Sequence, residues 1–230
     1  GLGVMGLHSY FQQKMIPFES VMAKVWNKKI FQHIQEQVDQ ASKDLAEERG
    51  PCPDASDYGI NERFSNKTAI APTASISIIC GGASPGIEPI AANSYTHKTL
   101  SGSFNVRNKY LANLLEKHGK NDNETWSSIT TNQGSVSHLN FLKKEEKDVF
   151  KTAFELDQRW VVDLGADRTP YISQAQSINV FIPADIHKKD LHQIHFQAWK
   201  KGLKSLYYCR SKSIQRAENV QAGSSTDVTK

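Results

Sequence analysis

The segment KKGLKSLYYCRSKS, residues 200–213, sets Tyr207 and Tyr208 side by side in a short apolar run bounded by lysine and arginine. Two roles suit adjacent phenols. In a buried strand, neighbouring side chains point to opposite faces, and the pair makes two packing contacts. In mutual contact, each phenol can lose an electron together with its proton, and the two can relay a radical over a distance too great for one tunnelling step. Spacing alone leaves both open. A second candidate is APTAS, residues 71–75, at the end of a strand-like run. There the amides of a turn can receive phosphate oxygens, with the hydroxyls of Thr73 and Ser75 beside them; the same letters also spell an ordinary turn with local capping. The third is GGASPGIEP, residues 81–89, where Glu88 is held before Pro89 in a glycine-rich loop. A carboxylate in that position anchors its loop by accepting backbone N–H bonds or works as an acid or base; anchoring is the reading adopted. Cys52, Cys80 and Cys209 are odd in number and far apart, without C-x-x-C or zinc spacing, and read as buried or incidental thiols in a reducing, cytoplasmic setting.

These residues need elements to hold them. From Ser20 to Arg49, Phe31, Ile34, Val38, Ala41 and Leu45 recur at steps of three and four, which predicts a helix ended by Gly50 and Pro51. Residues 50–67 read as loop, Thr68–Ala71 as a strand stopped by Pro72, and residues 75–79 as either strand or short capped helix. A second long helix is expected over Lys144–Ala166, from Val149, Ala153, Leu156, Trp160 and Leu164. Gln176–Ile182 has strand composition, Asp185 is placed to cap a helix running to Lys201 and ended by Gly202, and LKSLYY, residues 203–208, reads as a further strand. Strand, helix, strand predicts a βαβ unit with parallel strands, hence an α/β fold. The polar residues 217–230 are expected to be disordered.

Composition narrows the function. With 38% hydrophobic and 23% charged residues among 230, the chain has the balance of a soluble globular protein. No apolar stretch approaches the roughly 20 residues of a membrane span. The net charge of +4 comes from lysines spread over many segments, so composition does not indicate nucleic-acid binding, while small phosphorylated ligands or an acidic peptide remain suitable partners. The opening GLGVMGLHSYF has no basic n-region and no initiator methionine, and reads as the middle of something longer.

Taken together, GLGVMGLHSYF, TAIAPTASISIICGGASPGIEP, LSGSFNVRNKYL and SINVFIPADIHKKDLHQIHFQAWKKGLKSLYYCRS resemble, in order, the carboxyl-terminal portion of the large (alpha, catalytic) subunit of class I ribonucleotide reductase. The resemblance implies that residues 1–216 are the second half of a ten-stranded α/β barrel. It implies that Thr73, Ala74, Ser75 and Ile76 hold the substrate diphosphate, Ile76 by its amide alone, since many relatives carry a hydroxyl there. It makes Tyr207 and Tyr208 the catalytic radical relay.

The thiyl-forming cysteine, the reducing cysteine pair and their Asn and Glu neighbours would lie upstream, leaving this chain inactive by itself. No metal or cofactor is expected on this segment; the family implies a metal-generated radical in the small subunit and ATP/dNTP effectors bound elsewhere. Implied partners are the rest of the large subunit, the small subunit, a ribonucleoside diphosphate, and thioredoxin or glutaredoxin as reductant, with no membrane. The helix from Asp185 to Lys201 would wall the groove that takes the small subunit's tail. The competing reading is a non-catalytic phosphate- or nucleic-acid-binding α/β module.

Overall fold

The computed structural model describes residues 1–99 and 102–211; the expected disorder of residues 217–230 lies outside them. Helix α1, Leu7–Gln13, is followed by the long α2, Val21–Arg49, which begins where Ser20 Oγ accepts the Ala23 N–H at 3.1 Å and ends at Gly50 with φ 79°. Of the expected face, Phe31 is buried and Ile34, Val38 and Leu45 are half-buried, but the fully buried positions are largely others. Ala23, Asn27, Phe31, Ser42 and Ala46 point inward while Ala41 is exposed, because polar Asn27 and Ser42 carry buried hydrogen bonds that an apolar count overlooks.

Short helices α3, Pro53–Asp57, and α4, Ile76–Ile79, follow; residues 75–79 are therefore helical rather than extended. An antiparallel hairpin of β1, Ser94–Thr99, and β2, Gly102–Arg107, precedes α5, Lys109–Lys117, and α6, Asn123–Thr131. The single helix expected over 144–166 is two: α7, Lys144–Val149, and α8, Gln158–Arg168. The Ala153 amide donates to Ile90 O at 2.7 Å rather than back along its own helix, and Asp157 caps a fresh start by accepting the Arg159 N–H at 3.0 Å.

The predicted βαβ unit is present as β3, Val180–Ile182, α9, Lys188–Lys200, and β4, Cys209–Ser211, with β3 and β4 parallel. Two of its bounds differ. His187, not Asp185, caps α9, accepting the Lys189 N–H on Nδ1 at 3.1 Å. Residues 203–208 are not a strand: Tyr208 N–H donates to the Asn179 side chain, and the backbone ladder becomes regular only from Cys209.

Single parallel bridges extend this pair. Leu2 pairs with Thr68, and Ile70 with Gln176, so the expected strand at 68–71 is reduced to two bridges. Four chain passages, at Leu2, Thr68–Ile70, Gln176–Ile182 and Tyr207–Ser211, thus lie side by side in that order, all parallel. Among the described residues they do not close into a barrel. Phe11, Phe18, Phe31, Leu164 and Ile178 fill the core beside them. Val162, Ile194 and Ala198 of α8 and α9 cover one face of β3, burying Val180 and Ile182. Leu111, Leu115, Trp126, Ile129 and Phe150 build a separate cluster around α5 and α6. No helix among the described residues is long and apolar enough to cross a membrane.

Candidate functional site

The tyrosines precede β4, and this decides how their rings lie. Within a regular strand they would point apart. Outside it, the ring centroids come to 4.2 Å with planes inclined at 53°. Both rings are about half exposed, 52% and 55%, so neither packs a core among the described residues. A hydrogen bond between the phenols and the nearby charge of Tyr208 push the Tyr207 pKa above its ordinary value. Backbone bonds fix the pair: Tyr207 N–H donates to Ile178 O at 2.8 Å, and Tyr208 O accepts the Val180 N–H at 2.9 Å.

Alternation along the parallel pair selects the neighbours. Arg210 lies two residues beyond Tyr208 and pairs in register with Phe181, which lies two residues beyond Asn179. Phe181 and Arg210 therefore share the sheet face turned away from α9. Arg210 stands over the Tyr208 ring, 5.9 Å from its centroid. Asn179, fully buried, accepts the Tyr208 N–H on Oδ1 at 2.9 Å and donates from Nδ2 to Glu88 Oε1 at 2.5 Å. Glu88 is 4% exposed; burial pushes its pKa up to about 7, with Arg210 and the Asn179 hydrogen bond drawing it back. Its anchor is thus a side-chain amide 91 residues away, not the amides of its own loop.

The 71–76 loop reaches the same place. Thr73 adopts φ 48°, a left-handed backbone unusual for a β-branched residue, and its Oγ1 accepts the Gly86 N–H at 2.7 Å, tying the loop to the glycine-rich one. Ala74, Ser75 and Ile76 are exposed, and the amides of residues 73–76 donate to no acceptor among the described residues. Such a row of free N–H groups around a left-handed residue suits an anion. Ala74 borders two pockets. One, of 340 Å³, is lined also by Gln12, Ser77, Asn93, Arg107 and Asn108. The other, of 130 Å³, is lined also by Pro72, Glu88, Phe181 and Arg210.

The second pocket brings together all three stretches singled out in the sequence, through Pro72 and Ala74, through Glu88 and Pro89, and through Arg210. Asn179 and Arg210 were missed there; the signal was available, since i+2 from Tyr208 and parallel pairing with the 176–182 strand select both. Cys52 is half-buried and Cys80 and Cys209 are exposed free thiols, so of the two readings, buried or incidental, the incidental one fits. Burial of part of the Cys209 side chain raises its thiol pKa.

A family model described as the ribonucleotide reductase barrel domain matches residues 1–59 and 55–209. The chain is 48% identical over 226 residues to the ribonucleoside-diphosphate reductase large subunit of Invertebrate iridescent virus 6, covering 96% of this chain and 23% of that protein. It is 45% identical over 230 residues to the large subunit of Invertebrate iridescent virus 3, covering 98% and 36%. The alpha subunit of the Actinobacillus ureae class Id ribonucleotide reductase superposes with a TM-score of 0.86 at 40% identity, over 97% of this chain and 40% of that one. The chain therefore spans between 23% and 40% of the length of these relatives. With the match running through both the 71–76 loop and the tyrosine pair, this chain belongs to the ribonucleotide reductase barrel-domain family.

Proposed function

We propose that this chain is the carboxyl-terminal half of the α/β barrel of a ribonucleoside-diphosphate reductase large subunit, residues 1–216, supplying its substrate-phosphate loop and its tyrosine relay. The observation that carries the reading is the contact of the Tyr207 and Tyr208 rings, 4.2 Å between centroids, under Arg210, which lines one pocket with Pro72 and Ala74 of the 71–76 loop.

The chemistry follows from that contact. When one phenol has been oxidised to a phenoxyl, its neighbour in ring contact gives it one electron and one proton, together a hydrogen atom, and becomes the phenoxyl in turn. The unpaired electron moves one residue without leaving a net charge. The amides of Thr73, Ala74, Ser75 and Ile76 would hold the diphosphate of a ribonucleoside diphosphate, with Ser75 adding its hydroxyl and Thr73 Oγ1 already engaged by Gly86. Ile76 contributes its amide alone. The reacting cysteines would come from the upstream part of the subunit, the radical from the small subunit, and the reducing equivalents from thioredoxin or glutaredoxin. The chain by itself would be inactive.

Helix α9 would wall the groove for the small subunit's tail, offering exposed Phe196 and Trp199 with lysines beside them.

The test is Tyr208→Phe in a complete large subunit assembled with its small subunit. Phenylalanine keeps the ring and removes the ionisable O–H, so turnover should disappear while substrate binding stays. Normal turnover of that variant would refute the relay.

A further inference from the structure

Glu88 is buried, acidic and given no part by the relay or by the phosphate loop. Its surroundings are specific. Asn179 takes the carboxylate with one end of its amide and the Tyr208 N–H with the other, so a single rigid side chain links Glu88 to the backbone of the tyrosine pair. Arg210 faces the same 130 Å³ pocket as Glu88 and at the same time overlies the Tyr208 ring.

We infer that Glu88 is a positioning residue for the tyrosine pair: through Asn179 it holds Tyr208 in place, and through Arg210 it sets how much positive charge the Tyr208 ring feels. This rests on the relay reading above.

A guanidinium without a nearby anion makes it harder to take an electron from the ring beneath it, and a carboxylate facing the same small pocket offsets that charge. The ionised carboxylate also makes the stronger bond to the Asn179 amide, tightening the hold on Tyr208. The other groups around Glu88 do not compete. His8 of α1, whose Nδ1 accepts the Ile90 N–H two residues further along the loop, is held neutral by burial, with its pKa down to about 3. Cys209 lies on the opposite face of its strand from Arg210. The 72–75 segment brings no ionisable side chain. Arg210 is the one charged partner among the described residues that acts on the carboxyl.

The experiment compares wild type, Glu88→Gln, Arg210→Gln and Tyr208→Phe in the complete large subunit with its small subunit, measuring kcat from pH 6 to pH 8.5. Glutamine can accept the same Asn179 hydrogen bond but stays neutral, so E88Q isolates the charge from the scaffold. The ionised fraction of a group titrating near pH 7 rises about tenfold from pH 6 to pH 8. The ratio of wild-type to E88Q kcat should grow by up to about that factor over the same interval, as the wild-type profile gains a limb that E88Q lacks. In R210Q the cation is gone, and the limb near pH 7 should be lost as well.

A wild-type-shaped profile for E88Q, whether at full rate or uniformly lowered, would overturn the inference, since a merely structural glutamate has no such pH signature. The relay reading is judged separately: if Y208F turns over normally, that reading fails; if Y208F is inactive and E88Q titrates like wild type, only the role of Glu88 fails.

Discussion

Burial decides the behaviour of two basic residues that carry no chemistry. His8 is fully buried, sits edge-on to Phe18 with centroids 5.3 Å apart, and uses Nδ1 to accept the Ile90 N–H at 3.0 Å. Burial lowers its pKa from 6.5 to about 3, so between those values the unfolded chain binds a proton that the folded one refuses. Its contribution is complete above pH 6.5 and is lost as the pH falls toward 3. His8→Leu in the complete large subunit should cost about 1–3 kcal/mol at pH 7, from the orphaned Ile90 amide, yet should remove part of the acid sensitivity. Thermal midpoints at pH 7 and pH 5 check this; an unchanged difference between the two pH values in the variant would contradict it. Arg168 is buried too, donating from Nε to Gln176 at 2.6 Å and from Nη1 to Asn27 at 2.9 Å, with Phe31 beneath it at 5.6 Å. Burial brings its pKa down to about 9, although Asp167 acts the other way. Neither residue announces itself in the sequence, because a lone His or Arg on a helix is ordinarily solvated. The tyrosine doublet does announce itself, but which way the rings point does not: that depends on whether the ladder starts at residue 207 or at 209.

At the scale of elements, sequence periodicity found what local rules govern and missed what distant partners impose. The 29-residue helix α2 with its Ser20 cap and Gly50 stop, and the βαβ crossover, follow from spacing and punctuation. The break between α7 and α8 does not, because it is the Ile90 carbonyl, 63 residues before Ala153 in the chain, that takes the amide a continuous helix would need. The same applies to the 71–76 loop. Its position is legible as a turn after a strand, whereas its shape depends on Gly86, whose N–H reaches Thr73 Oγ1. A Cβ at Gly86 would lie 2.9 Å from Ala71 O, with the backbone at φ 48°. Gly86→Ala should therefore push the two loops apart and distort the row of amides. In the assembled enzyme the expected result is a KM for the nucleoside diphosphate raised roughly tenfold or more, as loss of oriented hydrogen bonds gives about 1.4 kcal/mol per tenfold, with kcat less affected. An unchanged KM would remove the loop from the phosphate site.

For the whole molecule, the charge distribution speaks against the competing nucleic-acid module: Lys24, Lys67, Lys151 and Lys201 are each within 4 Å of a carboxylate, tying elements together rather than building a basic face. Membership in the family was readable from motif order; the open edges of the sheet were not. Four parallel passages leave the outer edges of Leu2 and of Cys209–Ser211 without a further strand among the described residues. Large apolar side chains are exposed as well, including Val21 at 70% on α2, Ile79 at 84% after the 71–76 loop, and Trp199 at 73% on α9. Open parallel edges and scattered apolar surface favour pairing with whatever chain is at hand. Expressed alone, these 230 residues should self-associate, with a light-scattering mass that rises with concentration and no sharp cooperative melt. Supplying the preceding part of a large subunit in the same cells should cover those edges and yield a monodisperse complex. A monodisperse monomer of the isolated chain, melting cooperatively, would mean that the four passages close on themselves and that the barrel needs no other half.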